Sequence, residues 1–395
     1  MIFTVLFWIL LTIVIYTFAG YAIILWLLVG LKKLFFPNMK LDFNDAYEPE
    51  VCLFVTAFNE KDYVAQKVEN TFQLDYPKKK IQYVWVTDGS DDGTPDLLKA
   101  YPELEVYHQP ERRGKMHAMN RGMKFVKAPI VIFSDTNTLL ASKSVREIVK
   151  RFSNKKVGCV AGEKRIVQDE TESAAGAGEG LYWKLESWIK KNDAELNTAV
   201  GAVGELFAVR TELFRDVETD TLLDDFIISL RIAQMGYKIA YAPEAYAMEK
   251  ASLNVNEEMK RKVRIAAGGV QTIFRLSQLL NIFKYGLLTW QYISHKVLRW
   301  TVTPVSLFLL YFVNMFLVFQ QQNWQPDNFY SLFFYFQSFC YGVALVGWIT
   351  ANHKTRLKLF FAPYYFVMIN YAAIRGMLRY FKGNQSVNWE KSKRA

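Results

Sequence analysis

Cysteine is scarce in this chain: among 395 residues only Cys52, Cys159 and Cys340 occur, far apart, in apolar surroundings and without metal-ligand spacing. A disulfide framework and a cysteine-based metal site are thereby excluded, and a reducing compartment is expected. Internal repeats and nucleic-acid-binding motifs are also missing. The net charge of +10 therefore does not indicate nucleic-acid binding; its basic residues cluster beside hydrophobic segments, where anionic headgroups attract them. From Ile2 to Leu31 there is no charged residue at all. No basic segment precedes that run and no small-residue cleavage pattern follows it, so it reads as a membrane helix rather than a secretory signal. Lys32, Lys33 and Lys40 come directly after it, which places the N-terminus outside and the polar middle of the chain in the cytosol.

What is present is a hydrophobic content of 51% with 16% aromatic residues, concentrated at the two ends. Between them, from Val51 to about Ala242, short apolar runs alternate with amphipathic stretches, the pattern of βα units feeding a mostly parallel sheet. Strands are predicted at Val51 to Ala57, Ile81 to Thr87, Leu104 to His108, Ile130 to Ser134 and Val157 to Ala161. Val64, Val68 and Phe72 share one face of a helix between the first two. Gly180 to Leu196, with Tyr182, Trp183, Leu185, Trp188 and Ile189, is predicted as a helix whose aromatics suit core packing, a sugar surface or a membrane surface. The stretch from Gly176 to Gly180 does not follow a strand directly and reads as a flexible linker, not a phosphate loop.

The expected organisation is a transmembrane helix over 1–31, a cytosolic domain over 45–250, basic and amphipathic interface helices over 255–298, a membrane region over 299–381 and a basic tail over 382–395. Val270 to Leu288 is predicted to lie in the headgroup plane. Trp300 to Phe319 and Tyr330 to Thr350 are each long enough to span, with Trp300 as an interfacial anchor. His353, Lys354, Arg356 and Lys358 place the following loop inside. Leu359 to Ala373 admits either a span or a re-entrant segment; the basic Lys391, Lys393 and Arg394 favour the latter.

Three carboxylate motifs punctuate the middle of the chain, each where a buried strand should give way to a loop or helix, the ligand-binding edge of open α/β sheets. Thr56-Ala57-Phe58-Asn59-Glu60 ends the first strand and opens a helix whose amides attract anions; Asn59 alone is equally a helix N-cap. Asp88, in the run Thr87 to Thr94 that includes Ser90, reads either as a turn residue or as an acceptor for a uracil imide hydrogen. Arg112-Arg113-Gly114-Lys115 is either a solvated charged face or a diphosphate site, with Lys115 nearest a helix start. Asp135, in Asp135-Thr136-Asn137, directly follows the apolar Ile130 to Phe133, where a carboxylate suits Mg²⁺ or Mn²⁺ bridging phosphate oxygens; an Asx-type turn is the other reading. Asp224 and Asp225 precede a helix. Adjacent acids diverge, so one is expected to cap while the other reaches a cleft as a general base.

In this order the motifs resemble those of the membrane-integrated family 2 glycosyltransferases, whose fold is GT-A, a Rossmann-like α/β domain. The subgroup includes poly-N-acetylglucosamine, cellulose and hyaluronan synthases. The markers are Thr56 to Glu60, Thr87 to Thr94, Gly114-Lys115, Asp135 to Asn137, Gly201 to Arg210, Asp224-Asp225 and Arg261 to Gly269. The resemblance implies inverting transfer from a nucleotide sugar, a UDP-sugar first, to a polysaccharide or lipid-linked acceptor at the cytosolic face of a bacterial plasma membrane. It makes Asp225 the base, with Asp224 beside it on the acceptor side. Thr56, Ala57, Asn59, Glu60, Asp88, Ser90, Arg113, Lys115, Asp135, Arg261 and Arg264 become donor contacts. Asp135 and Asn137 would hold the metal, and Gly201, Gly204 and Glu205 would face the acceptor.

Two departures stand out. Asp135-Thr136-Asn137 occupies the place of Asp-x-Asp, and Arg261-Lys262-Val263-Arg264-Ile265 that of Gln-x-x-Arg-Trp. The second removes a tryptophan expected near the acceptor and favours a nonprocessive lipid glycosyltransferase. A noncatalytic sugar-nucleotide sensor is a rival of another class. A transporter is not supported, since the spans are few and carry no charge.

Overall fold

The computed structural model describes residues 1–38, 41–167, 174–350 and 358–383. Lys40, the basic residues His353, Lys354 and Arg356, and the tail lysines and arginine expected to mark the cytosolic side lie outside them. Eight strands form one sheet: β1 (Val51–Ala57), β2 (Ile81–Asp88), β3 (Glu105–Gln109), β4 (Ile130–Asp135), β5 (Leu139–Leu140), β6 (Val157–Val167), β7 (Leu206–Arg210) and β8 (Lys238–Lys250). The helices that matter to the site are α1 (Ile2–Phe35), α2 (Lys61–Phe72), α3 (Lys115–Met123), α4 (Ala174–Leu196), α5 (Asp224–Gln234), α6 (Val255–Arg275), α7 (Val302–Gln321), α8 (Phe329–Thr350) and α9 (Lys358–Phe381).

The strand order is β3-β2-β1-β4-β7-β6-β8-β5. β1 pairs in parallel with β2 and β4, and β2 with β3, as expected. Beyond β4 the sheet is mixed: β7 runs antiparallel to both β4 and β6, while β6 and β8 are parallel. Every residue of β1 is buried, because both faces of the sheet are covered. Phe54, Phe133, Phe207 and Phe226 fill one core, and Leu53, Val64, Trp85 and Phe152 the other. Strands buried on both faces read as continuous apolar runs, which is why β1, β2, β4 and the start of β6 were legible; β3, only half-buried, was also expected. β5, β7 and β8 were not predicted; no run of apolar residues announces the direction or partner of a strand.

α1 is one helix of 34 residues with a π-helical turn at Tyr16–Gly20, roughly 50 Å long and so longer than the bilayer core. Its first half packs antiparallel on α7: Phe3 lies against Phe316, with ring centroids 4.2 Å apart, and Thr17 Oγ1 is 2.8 Å from Thr303 Oγ1. Its second half leaves α7 and runs along α4, where Tyr21, Leu25 and Val29 pack with Ile189 and Leu196. Among the described residues α1, α7 and α8 are long and apolar enough to cross a membrane. The Leu359 to Ala373 stretch lies within a single helix, α9, which contains Pro363. The stretch from Gly176 to Gly180, expected as a linker, belongs to the first turns of α4.

Two membrane-proximal expectations are corrected. The stretch Val270 to Leu288, expected as one helix in the headgroup plane, is broken: α6 ends at Arg275 and short helical turns follow. Val270 and Ile273 are buried against protein, as are Ala266 and Ala267, whereas Phe274, Ile282, Phe283 and Leu287 are exposed. Trp300, expected as an interfacial anchor, turns inward. A Cβ added at Gly269 would stand 2.2 Å from Trp300 Cε3, and the indole meets the Phe226 ring edge-on at 5.1 Å. Gly268 likewise admits Leu222 and Leu223, and Gly376 of α9 seats on Ala266. The glycines of α6 thus let the membrane helices and the start of α5 meet at backbone distance.

Gly269→Ala is expected to destabilise the detergent-purified protein by about 1–3 kcal/mol through overpacking on Trp300. Gly342→Ala, where nothing lies within 4 Å, should be neutral or slightly stabilising. Thermal unfolding of the two variants side by side checks the contrast; equal midpoints would refute the packing account.

Candidate active site

A cavity of about 1050 Å³ opens at the carboxyl edge of the parallel strands and continues towards the membrane helices. Ten of the residues singled out from the sequence line it: Glu60, Lys115, Asp135, Asn137, Gly204, Glu205, Asp224, Asp225, Arg261 and Arg264. Thr56, Ala57, Asn59, Asp88 and Ser90, at the ends of β1 and β2, Arg113, in the loop between β3 and α3, and Gly201 are not among its lining residues.

Those residues build the edge. Both oxygens of Asp88 accept backbone N–H groups: Arg113 N donates at 3.1 Å to each and Gly114 N at 2.7 Å to Oδ2. Asp88 is 3% exposed and so acts here on the loop that delivers Lys115. Gly89, at φ +67°, is required where Arg112 backbone atoms approach within 2.8 Å of where its Cβ would be. Arg112 is exposed, and its guanidinium lies 3.9 Å from the Phe58 ring centre. Asn59, at φ +52°, is not the N-cap of α2. Its amide exchanges hydrogen bonds with Asp91, giving Nδ2 to Oδ1 at 2.8 Å and accepting Asp91 N at 3.0 Å, while its own N–H donates to Ser90 Oγ.

Lys115, the first residue of α3, joins the two sides of the cavity. Its Nζ is 2.9 Å from Asp135 Oδ1 at the end of β4 and 3.0 Å from Asp224 Oδ2 at the start of α5. Burial alone would strip its proton, but the two carboxylates outweigh that cost and hold its pKa above the ordinary lysine value.

Asp225 faces the cavity beside the Gly201–Gly204 loop. A Cβ at Gly204 would lie 3.7 Å from its Cγ, and the loop is clamped to α5 by Ala202 N donating to Ser229 Oγ at 3.0 Å. Gly201, at φ +85°, leaves room for the Phe226 ring. Burial, then the neighbouring Asp224 and Glu205 carboxylates, raise the Asp225 pKa to about 7, against the opposing pull of Lys115. Glu205 is itself held low, because Lys164 and Arg261 outweigh its burial. No side chain caps α5, so the expected division of Asp224 and Asp225 into a cap and a base is not observed; both line the cavity.

The metal-site residues are tested by their donor sets. Asn137 Nδ2 donates to Glu249 Oε1 at 3.1 Å, which leaves the amide oxygen as its ligand atom. Asp135 and Asn137 offer two hard oxygens at one rim. That fits a small divalent cation whose other ligands are phosphate oxygens and water, and no larger acidic or histidine cluster exists among the described residues.

Lys67, behind the cavity, and Lys190, Glu186, Lys296 and Arg299, on its wall, escaped the sequence reading as site residues; for Tyr182 and Trp183 a sugar surface was one of the alternatives. Lys67, fully buried in α2, donates to Ser134 Oγ at 2.7 Å and Thr138 O at 2.8 Å, bracing the end of β4; burial pushes its pKa down to about 7, with Asp135 opposing. Tyr182 and Trp183 of α4 line the cavity instead of filling a core, and Lys262 Nζ lies 4.0 Å from the Tyr182 ring centre. Lys190, Glu186, Lys296, Arg299 and Trp300 line it too. A run of charge beside an apolar span was the available signal for Lys296 and Arg299, and it reads as a membrane flank until the fold turns it inward.

Residues 49–268 match the model of the family described as glycosyltransferase like family 2. Poly-beta-1,6-N-acetyl-D-glucosamine synthase of Staphylococcus aureus is 28% identical over 251 residues, 60% of this chain and 59% of the synthase. Beta-monoglucosyldiacylglycerol synthase of Trichormus variabilis is 29% identical over 164 residues, 40% of this chain and 34% of that enzyme. The chain therefore spans less than two thirds of the length of either relative. A mannosyltransferase of Pyrobaculum calidifontis, solved in complex with GDP-Man and Mn²⁺, has the same fold, with a TM-score of 0.71 at 19% identity over 95% of this chain and 99% of that one. With the mixed sheet, the carboxylate-lined edge and the family match together, the chain belongs to the family 2 glycosyltransferases of GT-A fold and carries membrane-capable helices on both sides of its catalytic domain.

Proposed function

We propose that this enzyme transfers a sugar, with inversion, from a nucleotide sugar to an acceptor hydroxyl at the cytosolic face of a membrane. The observation that carries the reading is Asp225: a cavity-facing carboxyl whose pKa sits near 7, beside cations suited to a diphosphate. A base poised near the operating pH is half deprotonated and retains driving force for proton uptake. The acceptor hydroxyl gives its proton to Asp225, and its oxygen attacks the anomeric carbon. The bond from that carbon to the diphosphate breaks, and its electron pair leaves with the nucleoside diphosphate.

Arg264 half-faces the cavity within the field of Asp224, Asp135 and Asp225 and is the side chain proposed for the diphosphate; Arg261, held at 3.0 Å by the buried Glu258, supports it. Asp135 and Asn137 are proposed to hold Mg²⁺ or Mn²⁺, which supplies positive charge to the departing diphosphate. The β1 and β2 ends, with Thr56, Asn59, Asp88 and Ser90, are proposed to shape the nucleotide subsite. The lysines after α1 support a cytosolic orientation, and the relatives' names support glycan or glycolipid synthesis.

Purified protein incubated with UDP-sugars, and separately GDP-sugars, with and without Mn²⁺, should release nucleoside diphosphate only with metal and one donor; no release from any donor would refute the reading. Asp225→Asn should lower kcat by about 10²–10⁴-fold. Retention of wild-type turnover would remove Asp225 from its role.

The acid limb of kcat/KM should lie near pH 7, activity rising as Asp225 loses its proton. Glu205→Gln removes one like charge and should move that limb to lower pH. A limb that stays put, or moves up, contradicts the electrostatic account. Asp135→Asn should raise the Mn²⁺ concentration for half-maximal activity, measured by titration of the metal.

A further inference from the structure

The cavity of about 1050 Å³ extends past the carboxylate edge to side chains of α1 and α9. Its far end is lined by Phe18 of α1 and by Ala362, Phe366, Ile369 and Ala373 of α9. Phe18 and Phe366 meet edge-on at 4.7 Å. This apolar branch has no use for a diphosphate or a free sugar.

A second group of cations accompanies it. Arg261 and Arg264 on α6 have a place with the donor, but Lys190 of α4 and Lys296 and Arg299 of the segment before α7 line the same cavity without one. All three gather around a single carboxylate, Glu186, which Lys296 contacts closely and Arg299 Nη1 reaches at 3.5 Å. Arg299 Nε is buried with no hydrogen-bond partner. Lys190, Lys296 and Arg299 outnumber the two carboxylates beside them, Glu186 and Asp193, the latter also hydrogen-bonded by His295 at 2.7 Å, by Tyr21 and by Gln291, so one positive charge is left over.

The depth of this group is set by its contacts to α1. Ser294 Oγ is 2.6 Å from Tyr16 OH, and Thr17 is level with Thr303 in the first turn of α7. With α7 taken as a span starting at Val302, Lys296 and Arg299 come just before its entry, where basic side chains meet lipid phosphates, and the apolar branch belongs to the same cavity. We propose, on the foundation of the transfer reading above, that the acceptor is a single anionic lipid whose headgroup phosphate sits on Lys190, Lys296 and Arg299. Its hydrocarbon chains leave past Phe18 and Phe366, and a headgroup hydroxyl beyond the phosphate reaches Asp225. A neutral polysaccharide would leave both the cations and the apolar branch without a partner.

The test reconstitutes the full chain in phosphatidylcholine nanodiscs with spin-labelled phosphatidylglycerol or spin-labelled phosphatidylcholine. Phosphatidylglycerol is the probe because it joins a phosphate to free hydroxyls. Motional restriction of the label is expected for phosphatidylglycerol in preference to phosphatidylcholine, and Lys296→Gln or Arg299→Gln should cut that preference about tenfold, the effect of one lost charge-assisted hydrogen bond. Phe366→Trp, which fills the apolar branch and leaves the cations in place, should also weaken it. Equal restriction of the two lipids, or a preference untouched by all three variants, overturns the proposal. A second arm adds labelled donor and Mn²⁺: one sugar on an organic-extractable anionic lipid is expected, whereas label in a polymer or on diacylglycerol overturns it. Absence of nucleotide release in every arm refutes the transfer reading and, with it, the acceptor role, while the lipid preference is scored by the spin labels alone.

Discussion

Lys115 holds together parts of the chain that fold separately. It opens α3, which the Asp88 carboxylate positions through the preceding loop, and from there it reaches Asp135 on β4 and Asp224 on α5. Without a buried cation between them, two carboxylates from opposite sides of a cavity would repel each other at low dielectric. With it, Asp224 is neutralised on one side while Asp225, one residue on, still feels Asp224 and Glu205 and keeps a high pKa. One ammonium therefore sets both the spacing of the site and the division of labour between adjacent acids.

The same economy of contact joins the catalytic domain to the membrane region. Gly268 and Gly269 take a strap carrying Leu222 and Leu223, and an indole from beyond residue 298, onto one face of α6, while Gly376 brings α9 onto another. The strap leads straight into Asp224. α6 thus touches both the strap before α5 and the membrane-proximal segments around Trp300 and Gly376. Trp300 comes to lie on Phe226, in the neighbourhood where Ile265 had replaced an expected tryptophan. The aromatic surface lost from one element is supplied by another, so the departure read at Ile265 does not leave the cavity without an indole.

Much of the architecture was legible, for identifiable reasons. β1, β2 and β4 are buried on both faces and stand out as apolar runs, and their carboxyl edge puts Asp88 and Asp135 where ligand groups gather in such sheets. The roles of neighbours were less legible. Asp88 spends both oxygens on amides, Asn59 bonds Asp91 instead of capping, and Asp224 does not cap α5. In each case the sequence offered a carboxamide or carboxylate next to a turn, and the partner that decided its use came from tens of residues away.

By itself the sequence determined the charge-free length of α1, the apolar strands, the order of the carboxylate motifs and the basic flanks, because each depends on residue type and local spacing. Tertiary structure alone decided that β7 enters antiparallel between β4 and β6, that α6 ends at Arg275 with Val270 and Ile273 buried, and that Lys296, Arg299 and Trp300 turn into the cavity. The physical reason is that pairing direction and side-chain facing depend on partners distant in the chain. A glycine without a Cβ shows no preference in sequence for the helix or indole that will press against it. Nor does a lysine beside a membrane span show whether it will meet solvent, a headgroup or Glu186.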